Sequence, residues 1–375
     1  MENRETRTWA EIDLSSLAHN YRTLRALLPA GCRFLGVVKA DAYGHGALET
    51  ARCLEEWGAD CLAVACLEEA ARLRQRGIGL PILILGVTPP SRWRDLLDLD
   101  VTQTVGDLDS ARALSAAAAG VGKRLRIHVK ADTGMSRLGF LCDGAHLERA
   151  VEEIAAAAAL PGLEAEGIFT HFAAADGDED YTMGQFTRFL DLLDGLKGRG
   201  VEFALRHCAN SAAVLSYPCT HLDMVRPGIA LYGHYPDPAC EGLDGPGLAP
   251  VMRLFTRVAA VRTLPGGTCV SYGCTARLEE ERTLAVLPLG YADGLSRLLS
   301  NRGGVWLGGQ RCPIVGRVCM DMCMVDVTGL AVRPGDVAEV FGTQAPIEEA
   351  AGLVGTIQYE LLCSVSPRVP RIYRR

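Results

Sequence analysis

The chain has 375 residues, a formal net charge of −7, 49% apolar residues and 22% charged residues. That length exceeds what one hydrophobic core usually serves, so two domains are expected. The acidic balance disfavours a nucleic-acid or anionic-membrane partner, and apolar runs such as Ala155–Leu160 are far too short to span a bilayer.

In chain order, the charged start Met1–Arg7 has no apolar core after it, so no secretory signal is expected. Thr8–Ile12 alternates like a strand, and Asp13, or Ser15 or Ser16, can cap a helix over Leu14–Leu28. Strand patterns then recur at Phe34–Val38, Cys61–Ala65, Ile82–Leu85, Val101–Val105, Arg126–Lys130, Glu166–Phe169, Phe203–Arg206 and Leu222–Val225. Helical patterns lie between them, among them Ala47–Trp57, Leu67–Arg76, Leu108–Ala118, Ala145–Ala159 and Thr182–Gly195. Eight strand–helix units in about 230 residues predict a parallel (β/α)8 TIM-type barrel. An open doubly wound sheet usually has fewer strands and a glycine-rich first turn, and neither fits. The segment Pro236–Gly247 is rich in turn residues. Beyond it come short strands with glycine turns, at Met252–Thr263, Thr283–Leu289, Gly304–Leu307, Arg311–Val318, Met322–Val327 and Asp336–Phe341. The division expected is a barrel over residues 1–240 and a mainly β-strand domain over 241–375, with residues 1–13 pairing with the latter. The fourteen cysteines form no C-x-x-C pair, which reads as reduced thiols in a cytosol rather than a disulfide framework or metal site.

Chemistry in this barrel class gathers at the carboxyl ends of the strands. The first strand ends at Lys39, a lysine costly to bury unless used, whose neutral amine condenses with aldehydes. A lysine lying along the barrel rim with its charge in water is the plain alternative. Lys130 and Arg137 follow the fifth strand, His171 the sixth, His207 and Asn210-Ser211 the seventh, and Arg226-Pro-Gly228-Ile229 the eighth. A shared active site explains this set better than packing does. Ser211 and the backbone N–H groups at Gly228 and Ile229 can hold a phosphate. A phosphate-anchored aldehyde beside a lysine points to pyridoxal phosphate. Glu68 and Glu69, on a helical segment after the second strand, read as a solvated face, His128 as a packed histidine, and Gly44 and Gly46 as turn.

The segment Val38-Lys39-Ala-Asp-Ala-Tyr43-Gly-His-Gly46 resembles the lysine motif of bacterial alanine racemases, pyridoxal-phosphate enzymes of fold type III. The likeness continues through His128–Gly139, Phe169–Phe172, His207–Ala212, Val225–Gly233, Val270–Gly273, Gly290–Gly294, Gly316–Asp321 and Gln358–Arg371. Cys208 and Cys274 are the departures inside these motifs. The resemblance implies interconversion of L- and D-alanine by a two-base mechanism, with D-alanine supplied for peptidoglycan. Lys39 would carry the cofactor as an aldimine and serve one face of the substrate, and Tyr272 the other. Dimerisation would be required, since Tyr272 reaches the partner's lysine in the family. It further implies that Tyr43, Asn210, Ser211, Gly228, Ile229 and Tyr359 contact the cofactor, that Arg226 faces its ring nitrogen, and that His171 bonds Tyr272. Arg137 and the Met320 N–H would hold the substrate carboxylate. Lys130, carbamylated in many members, Tyr291 at the entrance and Asp321 would support the site. No metal is implied. A serine racemase of the same fold is the nearest alternative, with Tyr359 marking the alanine type. A decarboxylase of the same architecture is another, but its glycine-rich phosphate loop is missing.

Overall fold

The computed structural model describes residues 6–241 and 247–375. The first five residues and 242–246, part of the turn-rich connector, lie outside the described residues. The chain divides into two compact units. One comprises Ala18–Ala42 and Ala47–Leu248; the other runs up to Leu17, takes in Tyr43–Gly46, and resumes at Ala249–Arg375.

The first unit is a near-closed barrel of eight parallel strands. In order they are Arg33–Val37, Cys61–Val64, Ile82–Ile84, Thr102–Val105, Leu125–Asp132, Leu163–Phe169, Leu205–His207 and Met224–Val225. Buried apolar residues dominate these strands because helices cover the outside. The last strand pairs with the first, Met224 opposite Arg33 and Val225 opposite Phe34. Between the seventh and eighth, the Asp223 N–H donates to the Arg206 carbonyl (3.1 Å) and the Arg226 N–H to that of Ala209 (2.9 Å). The eighth strand begins two residues later than its pattern predicts. Leu222 has φ 49°, a left-handed conformation that an extended ladder cannot include. The opening helix, Leu14–Ala26, is capped by Asp13, whose Oδ1 accepts from the N–H groups of Ser15 (2.8 Å) and Ser16 (3.0 Å).

The second unit is built on a six-stranded sheet. Its order is Gln310–Pro313, Gly304–Leu307, Val337–Phe341, Met252–Arg257, Thr8–Asp13 and Arg371–Arg374. Thr8–Asp13 lies antiparallel to Met252–Arg257 and parallel to Arg371–Arg374. A three-stranded sheet joins Ala260–Leu264, Arg282–Leu287 and Cys323–Asp326, and a short hairpin pairs Cys269–Val270 with Ala276–Arg277. The single strand expected over Met252–Thr263 is two strands in two sheets. The Val258 N–H donates to the Asp336 carbonyl and the Ala259 N–H to that of Val286, both 2.8 Å, so the chain changes sheets between these residues. The strand expected at Arg311–Val318 ends at Pro313; beyond it Ile314 bridges Val325 and the Val315 N–H donates to the Met324 carbonyl (2.8 Å), so the chain leaves the six-stranded sheet for the three-stranded one. Two helices, Ile347–Val354 and Gln358–Ser364, have no counterpart in the strand pattern. The first carried a readable signal, with Pro346 at its cap, Glu348 and Glu349 in its first turn and Gly355 left-handed at its end.

All fourteen cysteines carry free thiols, eight of them buried. No helix among the described residues is long and apolar enough to cross a membrane.

Candidate active site

The first barrel strand delivers the chain to Val38, and there the backbone turns the unusual way. Ala40, Asp41, Ala42 and Tyr43 all have φ between 52° and 55°, a turn of left-handed helix directly after Lys39. For residues with a Cβ this costs roughly 1–2 kcal/mol each. Such a conformation persists only where its surroundings over-determine it, and it concentrates at functional sites. Here the Ala42 N–H donates to the Val38 carbonyl (2.9 Å), and Asp41 Oδ1 accepts from the Ala47 N–H (2.8 Å). Glu69 accepts from the Ala40 N–H through Oε1 and from the Ala65 N–H through Oε2, both 2.7 Å. The reading of Glu68 and Glu69 as one solvated face therefore holds for Glu68, which is exposed and pairs with Arg92 on the surface, and fails for Glu69.

The other strand ends converge on a buried basic cluster. Arg226 lies at its centre, sealed from solvent. Its Nη1 donates to His207 Nδ1 (2.7 Å), and its Nη2 donates to the carbonyls of Thr170 (2.8 Å) and Cys208 (3.1 Å) and to His171 Nδ1 (3.2 Å). Burial lowers its pKa to about 10, so it stays protonated at neutral pH. The Lys130 ammonium and the Arg226 guanidinium both sit over the Phe169 ring, at 4.7 and 5.2 Å from its centroid. Lys130 Nζ is buried and has no hydrogen-bond partner among the described residues. Burial first, then the charges of Arg226 and Arg137, push its pKa well below the ordinary lysine range. His171 is pushed well down by burial and then by Arg226, Lys130, Arg137 and Lys39. Four basic side chains from three strand ends thus act on one imidazole.

Because Arg226 can only donate, it fixes the tautomers around it. His171 accepts at Nδ1 and carries its proton on Nε2. His207 likewise accepts at Nδ1, and its Nε2–H donates to His128 Nδ1 (2.9 Å). His128 Nε2 then faces Glu166 at 3.5 Å. Burial holds His128, His171 and His207 all below the usual histidine pKa. The unfolded chain takes up these protons near pH 6.5 and the folded chain does not. Stability is therefore complete above about pH 6.5 and falls as pH drops below it, by up to about 1.4 kcal/mol per pH unit for each histidine. Thermal melts from about pH 7 to pH 5 should show a falling Tm, and His207→Asn should flatten that slope. A pH-independent Tm in both proteins would contradict these protonation states.

Asp132 shapes the loop after the fifth strand. Its carboxylate accepts from the N–H groups of Gly134 (3.0 Å), Ser136 (3.0 Å) and Arg137 (3.1 Å), which places Arg137 at the mouth of the barrel strand. Gln185 binds the loop after the sixth, accepting from the Ala173 N–H (2.8 Å) and donating to the His171 carbonyl (3.2 Å). At the seventh, Asn210 is the cap of helix Ser211–Ser216, its side chain accepting from the Ala213 N–H (3.1 Å). Ser211 Oγ accepts from the N–H groups of Gly228 (2.8 Å) and Ala230 (3.3 Å), which leaves its own O–H to donate to an anion. Ile229 opens the short 3-10 turn Ile229–Tyr232 beside it.

Tyr43, Tyr272, Tyr291, Met320, Asp321 and Tyr359 belong to the second unit. The rings of Tyr43 and Tyr359 lie 6.1 Å apart, and burial raises the Tyr43 pKa. Tyr272 is 71% exposed, on the loop of the Cys269–Arg277 hairpin. Three of the residues around it have positive φ, Ser271 (64°), Gly273 (72°) and Cys274 (46°). Tyr272, Met320 and Asp321 line one open groove with Arg262 and Met324. Asp321 pairs with Arg368 at 2.8 Å, and Tyr291 is exposed. Sequence reasoning gave no role to Glu69, Asp132 or Gln185. Asp132 lay inside a quoted motif, and its position at a loop start was the available signal. For Gln185 there was none. Among the described residues no cluster of His, Cys, Asp or Glu could hold a metal ion.

A family model for the alanine racemase N-terminal domain matches residues 12–236, and one for the alanine racemase C-terminal domain matches 251–373. The chain belongs to the alanine racemase family. A relative named alanine racemase from Desulforamulus reducens is 48% identical over 370 residues, covering 97% of this chain and 98% of its own. The solved alanine racemase of Clostridium difficile superposes with a TM-score of 0.94 at 39% identity, covering 99% of this chain and 96% of that one. That of Bacillus anthracis, solved with bound L-Ala-P, gives 0.91 at 36% identity over 98% of this chain and 95% of that one.

Proposed function

We propose that this family member interconverts L- and D-alanine with pyridoxal phosphate, using Lys39 on one face of the substrate α-carbon and Tyr272 of the partner subunit on the other. The observation that carries this reading is the grouping of Lys39, Lys130, Arg137 and Arg226 around the half-buried His171, with Arg226 donating to its Nδ1 (3.2 Å). The donor set fits the cofactor. Ser211 Oγ–H, oriented by the Gly228 N–H, with the Ile229 N–H suits its phosphate, together with Tyr43 and Tyr359, and Asn210 holds the Ser211 turn in place. Arg226 suits its ring nitrogen and Lys39 its aldehyde. When bound, the cofactor supplies electron withdrawal that acidifies the substrate Cα–H bond.

The rest is done by the chain itself. Lys39 anchors the cofactor and, as a free amine, takes or returns the proton on its face. Inversion requires a second group opposite, because one fixed base cannot reach both faces. We assign that role to the Tyr272 hydroxyl, with the His171 Nε2–H as the donor that stabilises its oxygen. Arg226, protonated, would face the ring nitrogen of the bound cofactor and, having only N–H groups to offer, would keep that nitrogen from gaining a full positive charge. Arg137 and the Met320 N–H hold the substrate carboxylate. The Lys130 amine, unpartnered among the described residues and with its pKa pushed down by burial, suits carbamylation, in which its nitrogen in the amine form bonds carbon dioxide, a proton leaves, and the resulting anion holds Arg137. Tyr291 and Asp321 frame the entrance. A symmetric homodimer completes each site, and free buried thiols suit a cytoplasmic enzyme making D-alanine for peptidoglycan.

A coupled assay comparing kcat/KM for L-alanine and L-serine tests the substrate. Alanine should be preferred by at least about tenfold, the scale set by a pocket that rejects one extra polar group. Equal values would move the reading to a serine racemase.

A further inference from the structure

Glu69 binds two backbone N–H groups from two different strand ends. One bond is local. Glu69 is the third residue of helix Leu67–Gln75, and it reaches back past the cap residue Cys66 to the Ala65 N–H (2.7 Å), one residue beyond the position of a capping-box bond. The other bond crosses to the neighbouring strand end and takes the Ala40 N–H (2.7 Å). A left-handed turn leaves its first N–H groups without internal partners, just as a right-handed helix does. Ala40 is the first residue of that turn. Its N–H belongs to the same peptide plane as the Lys39 carbonyl. Fixing that plane fixes ψ of Lys39, and with it the direction in which the lysine side chain leaves the backbone.

We propose that Glu69 is a positioning residue for Lys39, holding the first peptide of the left-handed turn so that the amine points at its target. The proposal rests on the reading of Lys39 given above. A carboxylate is suited to the task because it offers one oxygen to each N–H. A glutamine has only one acceptor oxygen, and its NH2 would face the second N–H.

The test uses the full-length chain and pyridoxal phosphate itself. Three things are measured: the rate at which the apo-protein develops the visible absorbance of bound cofactor, kcat and KM for alanine, and Tm. Glu69→Gln should slow the absorbance change and lower kcat by roughly ten- to a hundredfold, the scale of a lost charge-assisted hydrogen bond, while KM stays within about twofold. Adding Ala40→Gly, which removes the Cβ penalty at the left-handed position, should recover part of both losses, since the two changes act on one peptide. A merely structural role would lower Tm without slowing the absorbance change, and the double variant would show no recovery. Either result, or wild-type rates in Glu69→Gln, overturns the proposal. Lys39→Ala serves as the separate control. If it still develops the lysine-linked absorbance, the reading of Lys39 itself fails. If it does not, a wild-type Glu69→Gln removes the Glu69 assignment alone.

Discussion

Lys39→Ala should yield a folded protein without the visible absorbance of lysine-linked cofactor and with racemisation reduced by roughly 10³- to 10⁴-fold or more, combining loss of the anchor with loss of one proton-transfer group. The fold should survive because Lys39 is only partly buried and sits at a strand end rather than in the core. Its neighbours hold the turn by backbone bonds, from Ala42 to Val38 and from Ala40 to Glu69, that do not involve the lysine side chain. Removing the amine also removes one of the cations acting on His171. The pH dependence of any residual cofactor binding should therefore shift upward with the His171 pKa. Retention of the lysine-linked absorbance in Lys39→Ala would show that another amine carries the cofactor. Lys130 would be the first candidate, being buried beside Phe169 with its pKa pushed down by that burial.

Tyr272→Phe should bind cofactor normally and lose racemisation by about 10²- to 10⁴-fold, the range for one proton-transfer group. The substitution deletes a single oxygen from a residue that is 71% exposed, so neither the hairpin nor the barrel should be disturbed. Lys39 still serves its face. In deuterated solvent this variant should exchange the α-hydrogen of one alanine enantiomer faster than it inverts it, whereas the wild type links exchange to inversion. Full turnover in Tyr272→Phe would end the two-group assignment. The same pair of variants tests the shared site. If each site takes Lys39 from one chain and Tyr272 from the other, mixed dimers of Lys39→Ala and Tyr272→Phe contain one intact site. Random re-association in equal amounts then restores about one quarter of wild-type activity. Sites confined to single chains would give no recovery.

Much of the architecture was readable from the chain. Barrel strands announce themselves as short apolar runs because both faces of a parallel sheet are covered. The polar residues that end those runs stand out against them, so Lys39, Lys130, His171, Ser211 and Arg226 were all visible without coordinates. The second unit was harder. Its strands are short, and a continuous alternating run such as Met252–Thr263 gives no local sign that it crosses from one sheet to another. That crossing is decided by which carbonyls, those of Asp336 and Val286, stand opposite.

The sequence by itself determined the family and the strand–helix rhythm, because residue type and spacing survive in one dimension. Only the tertiary structure decided that the residues after Lys39 turn left-handed, that Glu69 faces that turn rather than water, that the buried Lys130 Nζ has no hydrogen-bond partner among the described residues, and which nitrogen of His171 bears the proton. Each of these depends on a partner distant in sequence or on the loss of water around a charge. Such free energies arise only when separate strand ends are brought to one place.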